Sequence, residues 1–171
     1  MDPRIKNTCK EMIVQRGYQI QEEEETYIIG INNSLEENNQ IYVILISTLK
    51  FNIEKLTEYI NIMNNVNIKH GIIIYRDSAT PIAKKMVQNN TNMYIELFRE
   101  EELLYNITKH SLVPIHEFLS DSDILAFKKK FGVKIPIILS TDAIVRFYNF
   151  KKGSIIRVIR KDDYVSYRIV R

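Results

Sequence analysis

Apolar residues recur at helical spacing from the start of the chain. Ile5, Cys9, Met12 and Ile13 share one stripe with Arg16, and Gly17 follows as a stop. The pattern then changes period. Thr26–Ile31 and Ile41–Ser47 are β-branched and aromatic runs of strand length, separated by the turn-rich Asn32–Gln40. Ile53, Leu56, Ile60 and Met63 mark an amphipathic helix that ends in the Asn-rich segment Asn64–Asn67. Gly71–Tyr75 reads as a short buried strand. Thr80-Pro81 opens another helix, with a threonine cap and proline at the first helical position, where a missing N–H costs nothing. Asn92–Phe98 is a further strand and Glu100–Leu104 a short helix. This alternation predicts an α/β layer with parallel neighbours.

The second half has a different texture. Ser120-x-x-Asp123 is a capping box ahead of Ile124, Leu125, Phe127 and Phe131, with Gly132 as the expected stop. Ile137–Leu139 follow Pro136, and Asp142–Tyr148 reads as one or two helical turns before the turn Asn149–Gly153. Ser154–Arg160 and Tyr164–Val170, joined by Lys161-Asp162-Asp163, predict a β-hairpin. Ser154–Arg160 is apolar on both faces, interrupted by Arg157 and Arg160, so it is covered on both sides by its own domain or by a partner. The two arginines suit bidentate contact with a partner, or pair within the domain.

Charge divides the chain further. Of its 171 residues, 45% are hydrophobic and 26% charged, which excludes a disordered tail, and the net charge is only +3. The first 110 residues carry 12 basic and 15 acidic side chains, and the remaining 61 carry 12 and 6. We therefore expect two domains, 1–110 and 111–171, the first mildly acidic and the second basic. The expected class is α+β overall: an α/β N-terminal domain and a small α+β C-terminal domain with a hairpin. Met1-Asp2-Pro3-Arg4 has no apolar stretch behind it, and no apolar run approaches the ~20 residues of a membrane span, so we expect a soluble intracellular protein without a signal peptide. The abundance of Ile, Asn, Lys and Tyr is that of an AT-rich genome.

Catalytic motifs are missing from the sequence. His70, His110 and His116 have no metal-ligand spacing, and Cys9 alone allows neither a disulfide nor a cysteine zinc site. Neither a glycine-rich phosphate loop nor a GxSxG elbow occurs. A metal-dependent nuclease on an α/β layer needs a carboxylate two positions before a lysine, and no Asp or Glu here has one. We expect no catalytic residue, no metal, no cofactor and no small-molecule substrate. Glu22–Glu25 reads as a solvated turn and Lys128-Lys129-Lys130 as a solvated helical face. The helix start Thr80-Pro81-Ile82-Ala83, with Arg76, Lys84 and Lys85 nearby, suits a bound phosphate or is an ordinary capped start.

A resemblance gives these segments a context. The ordered set Leu112-Val113-Pro114-x-His116, Ile135-Pro136, Asp142-x-x-x-Arg146-x-Tyr148, Lys151-Lys152-Gly153-Ser154 through Arg160, and Tyr167-Arg168 closely resembles the fifth-largest common subunit of eukaryotic nuclear RNA polymerases and its archaeal counterpart. Met12-x-x-x-Arg16-Gly17-Tyr18, Gly71–Tyr75, Thr80-Pro81-x-Ala83 and Asn106-Ile107-Thr108-x-His110 match the eukaryotic, two-domain form.

The resemblance implies a restriction-endonuclease-like jaw domain without nuclease activity, placed near downstream duplex DNA, and a C-terminal assembly domain that docks on the largest subunit beside other polymerase subunits. DNA contact would be weak and non-specific, through Arg76, Thr80, Pro81, Ala83 and Lys84. The subunit interface would use Pro114, His116, Asp142, Arg146, Tyr148, Lys152, Gly153, Arg157, Arg160 and Arg168. The chain departs from the family pattern with Ala143 where proline is usual, Asn149 where glycine is usual and Ile137 where a basic residue is common. Its shortened loops and AT-rich composition suggest a large DNA virus or a divergent protist. That implies a nucleus for a cellular protein, or host cytoplasm, viral factory or virion for a viral one. The rival reading is a free-standing, non-catalytic DNA binder or transcription regulator with a nuclease-like fold.

Overall fold

Asp2 Oδ1 accepts the amide of Arg4 at 2.8 Å, and Pro3 begins helix α1 (Pro3–Gln15), which buries Ile5, Thr8, Cys9, Met12 and Ile13. Gly17, at φ +88°, ends it as expected, in a conformation that favours glycine. The structure, a computed structural model, describes residues 2–35, 39–46, 49–131, 134–162 and 164–171, excepting the side chains of 121, 126, 128, 130 and 131. The chain divides into two compact units, Met1–Tyr105 and Asn106–Arg171. The architecture is mixed α+β with several sheets.

In the first unit α1 leads into β1 (Gln19–Glu23), β2 (Tyr27–Ile31), β3 (Gln40–Leu45), β4 (Lys50–Phe51) and α2 (Ile53–Asn65). After these come β5 (His70–Tyr75), β6 (Ser78–Ala79), α3 (Pro81–Asn89) and β7 (Tyr94–Arg99). Five strands form one sheet in the order β1-β2-β3-β5-β7. The β1–β2 and β2–β3 pairs are antiparallel, and the β3–β5 and β5–β7 pairs are parallel with helical crossovers. Alternation along the strands splits the core between the two faces. Ile44, Ile73 and Ile95 pack with Leu56 and Met63 of α2 and Ala83 of α3. On the other face, Ile13 of α1 approaches Gly30 beside Ile41. All of β5 is buried, and each of its isoleucines contributes about 1.5–3 kcal/mol.

The second unit begins with a 3-10 turn, Ile107–Lys109, capped by Asn106, and continues with β8 (Ile115–Phe118), α4 (Asp121–Phe131) and β9 (Ile137–Ile138). It ends with α5 (Ala143–Tyr148), β10 (Ile155–Ile159) and β11 (Val165–Val170). Its sheet runs β8-β10-β11-β9, with β10–β11 the predicted hairpin. Val145, Ile156, Val158 and Val170 form the core, with Ile138 and Phe150 against them.

Several expectations are corrected. Glu22 and Glu23 are not in a turn but end the exposed edge strand β1, where Glu23 pairs with Lys6 and Lys10 of α1. An edge strand is solvated on one side and needs no apolar run, so charge does not exclude it. Strand β8 was not foreseen, because Ile115-His116-Glu117-Phe118 is only half apolar. Leu125 stands 71% exposed, while Ile124 and Phe127 of α4 are half-buried. The Ser120 half of the expected capping box forms: Ser120 Oγ accepts the Asp123 amide at 3.3 Å, while the Asp123 carboxylate accepts from the Ser120 hydroxyl at 2.6 Å. The expected stop Gly132, the strand end Ser47, the loop residue Asp163 and the side chains of Lys128 and Lys130 lie outside the described residues; Lys129 is exposed.

Candidate subunit and nucleic-acid interface

The residues expected near DNA gather at the carboxyl ends of the parallel strands. Arg76 follows β5 directly and is exposed, with Nε 3.8 Å from Glu100 Oε2. Thr80 is the N-cap of α3, its Oγ1 accepting the Ala83 amide at 3.3 Å. Pro81 has no N–H, and the Lys84 amide goes to the Thr80 carbonyl at 3.1 Å. Thr80 thus caps this helix start for the Ala83 and Lys84 amides. Ala83 is fully buried and shapes the loop from below, whereas Pro81 and Lys84 are exposed.

In the second unit much of the expected interface set also holds the unit together. Asp142 Oδ1 caps α5 by accepting the Ile144 amide at 2.9 Å, and Asn149 ends that helix in the left-handed region at φ +57°. Asparagine thus fills the place where the family usually has glycine. His116 donates from Nδ1 to the Pro114 carbonyl at 2.8 Å, and burial pushes its pKa below the ordinary value. Tyr148 stacks on Phe150 at 5.1 Å, shares a hydrogen bond with Thr108, and has its hydroxyl pKa raised by burial. Arg146 lies half-buried in α5, and Arg168 Nη1 donates to the Ile137 carbonyl at 3.3 Å. Arg157 grips Glu117 Oε2 through Nε at 3.0 Å and Nη2 at 2.6 Å across β8 and β10. Lys152, Gly153 and Arg160 are exposed, and Gly153, at φ +88°, donates its amide to Val170 at 2.9 Å.

Two features escaped the sequence reading. Ile115, Ile159 and Val165 stand in register across β8, β10 and β11, on the opposite face from Ile156 and Val158. Ile115 is 61% and Val165 41% exposed. The signal was the double-faced apolar pattern of β10, of which only one face is fully used by the unit's own core. The second feature is a buried network. Arg16 makes a fork to Glu96 at 2.7 and 3.0 Å, Glu96 Oε1 also meets His70 Nε2 at 2.8 Å, and Tyr18 Oη lies 3.3 Å from His70 Nδ1. Burial alone would raise Glu96, but the charge of Arg16 and hydrogen bonds from His70 and Arg16 hold its carboxyl down at about 2. This explains why Arg16-Gly17-Tyr18 forms one motif: a clasp, a left-handed exit and a second clasp.

The described residues contain no group of three or more His, Cys, Asp or Glu able to hold a metal. A cavity of about 410 Å³ at the ends of α2 and α3 is lined by Asn64, Asn67, Lys69, Thr91 and Asn92 over Met63, Ile68 and Met93, without a carboxylate, imidazole or thiol.

Residues 105–170 match the family model described as RNA polymerase Rpb5, C-terminal domain. Over 177 aligned positions the chain is 32% identical to protein 454R of Invertebrate iridescent virus 6, provisionally named a DNA-directed RNA polymerase subunit, covering 95% of each chain. The chain belongs to the RNA polymerase Rpb5 family. Rpb5 is a non-catalytic subunit of the polymerase complex. Similarity extends to the subunit named rpabc1 of DNA-directed RNA polymerases I, II and III from Dictyostelium discoideum, at 27% identity over 97% of this chain and 95% of that one. The corresponding subunit of Caenorhabditis elegans is 26% identical, over 98% and 94%. The family model matches the second unit almost entirely, whereas the viral and cellular relatives align with both units.

Proposed function

We propose that this chain is a non-catalytic structural subunit of a multisubunit DNA-directed RNA polymerase, anchored to the largest subunit by its C-terminal unit. Near end-to-end similarity to named polymerase subunits carries this reading. The working modules are a jaw domain, 1–110, and an assembly domain, 111–171. The jaw is a restriction-endonuclease-like fold emptied of nuclease chemistry: a mixed sheet, parallel from β3 to the edge strand β7, without a carboxylate-x-lysine pair in its sequence. It lies beside downstream duplex DNA and presents Arg76, Thr80, Pro81 and Lys84 over a buried Ala83. Contact there is to backbone phosphates and carries no base sequence.

The assembly domain offers Pro114, His116, Asp142, Arg146, Tyr148, Lys152, Gly153, Arg157, Arg160 and Arg168, with the apolar row Ile115, Ile159 and Val165 on the sheet face opposite His116 and Arg168. That row offers a partner an apolar contact, flanked on the same face by the Arg157–Glu117 pair. The compartment is that of the enzyme: the nucleus for a cellular polymerase, or the host cytoplasm, viral factory or virion for a viral one.

Affinity purification through a tagged copy, in the cells or infected cells where the chain is made, tests the reading. Stoichiometric recovery of the largest polymerase subunit is expected, kept without residues 1–110 and lost without 111–171. Recovery through 1–110 alone would overturn the domain roles, and no recovery at all would overturn the polymerase assignment.

A further inference from the structure

Arg76 and Glu100 occupy equivalent places just beyond the ends of neighbouring strands. Tyr75 and Arg99 are paired in register across the parallel strands β5 and β7, and Arg76 and Glu100 are the next residues of each. The Glu100 side chain is 14% exposed, that of Arg76 58%. Arg76 Nε approaches the carboxylate at 3.8 Å from Oε2, and Glu100 Oε1 is buried with no hydrogen-bond partner among the described residues. A buried carboxylate oxygen without a donor is costly, so the pair is held by charge rather than closed as a hydrogen-bonded fork. The two other glutamates of this turn are engaged elsewhere: Glu101 pairs with Arg99, and Glu102 Oε2 accepts the Arg99 amide at 2.7 Å.

We infer that Glu100 restrains Arg76: its buried carboxylate competes with phosphate for the guanidinium and keeps the jaw's affinity for free duplex DNA low. This rests on the proposed DNA-facing role of Arg76. An exposed arginine neutralised by a fixed carboxylate adds little to counterion release, whereas a released one adds about one phosphate contact to the salt dependence. A phosphate presented by duplex held alongside supplies the oxygen atoms the Arg76 fork lacks, and the guanidinium exchanges partners without any change in the fold.

The test is fluorescence anisotropy of a labelled duplex with the full chain, over a salt series starting at low ionic strength. Glu100→Gln is expected to tighten binding about three- to fivefold and to steepen the logarithmic salt slope by about one. Glu100→Asp, which draws the charge back from Arg76, should fall between Glu100→Gln and the wild type and guards against misfolding of the first variant. Glu101→Gln should give a smaller gain, and Arg76→Ala should abolish most of the gain from Glu100→Gln. Equal gains from Glu100→Gln and Glu101→Gln, or a gain that persists with Arg76→Ala, overturn the restraint and leave the DNA-facing reading standing. No binding by any form at the lowest salt overturns that reading and the restraint together.

Discussion

Glu96 shows how much one side chain carries. Its carboxylate receives both arms of Arg16 and the His70 ring, with Arg16 4% and Glu96 10% exposed at the side chain. Removing one partner of such a pair leaves a buried charge alone and costs about 3–5 kcal/mol. Glu96→Gln is therefore expected to lower unfolding stability by that order in urea titrations near neutral pH. The pH dependence has a definite sign. A carboxyl held at about 2 in the folded chain, against 4.5 ordinarily, stabilises fully above about 4.5 and loses that contribution as pH falls towards 2. The gap between wild type and Glu96→Gln should narrow across that window and stay constant above it. Cys9 is the opposite case: burial pushes its thiol up to about 12, so it should resist thiol reagents in the native chain and react once the chain unfolds. Native reactivity as fast as in urea would contradict the packing of α1.

At the scale of elements, caps and turns decide where the chain changes direction. Asn149 holds φ +57° at the end of α5, a conformation glycine adopts without cost and β-branched residues resist. Asn149→Gly should leave the melting temperature unchanged or slightly raised, whereas Asn149→Val should destabilise by about 1–2 kcal/mol. Thr80→Ala, removing the cap of α3, should cost about 1 kcal/mol. Elements whose signals are local were legible from sequence: β3 and β5 as apolar runs, α1 from its stripe and the Gly17 stop, and α3 from its Thr80-Pro81 cap. Strand β1 was not, because Gln19–Glu23 is polar and owes its place to pairing with β2. Strand β8 was not, because its alternation is completed by β10, about 40 residues later in the chain. The candidate site was legible in the same uneven way. Arg16 sat visibly on the α1 stripe, but its partner Glu96 is 80 residues away, and no local pattern links them. Similarly, the apolar second face of β10 was visible, while its neighbours Ile115 and Val165 appeared only with the register.

For the molecule as a whole, the excess of acidic over basic residues in the first 110 positions predicts poor affinity for free DNA at physiological salt, rising as salt falls. Tight, salt-insensitive binding by the isolated chain would contradict a jaw that meets DNA only when held beside it. On the proposed function, a chain without catalytic machinery of its own works as a fixed part of a larger polymerase. Native mass spectrometry of the complex purified through a tagged full-length copy tests it most directly. An assembly containing the largest polymerase subunit and one copy of this chain is expected, with loss of this chain from it when Ile115 and Val165 are both replaced by aspartate in a copy that still folds. Recovery of the chain alone, or of an assembly lacking the largest subunit, would contradict it.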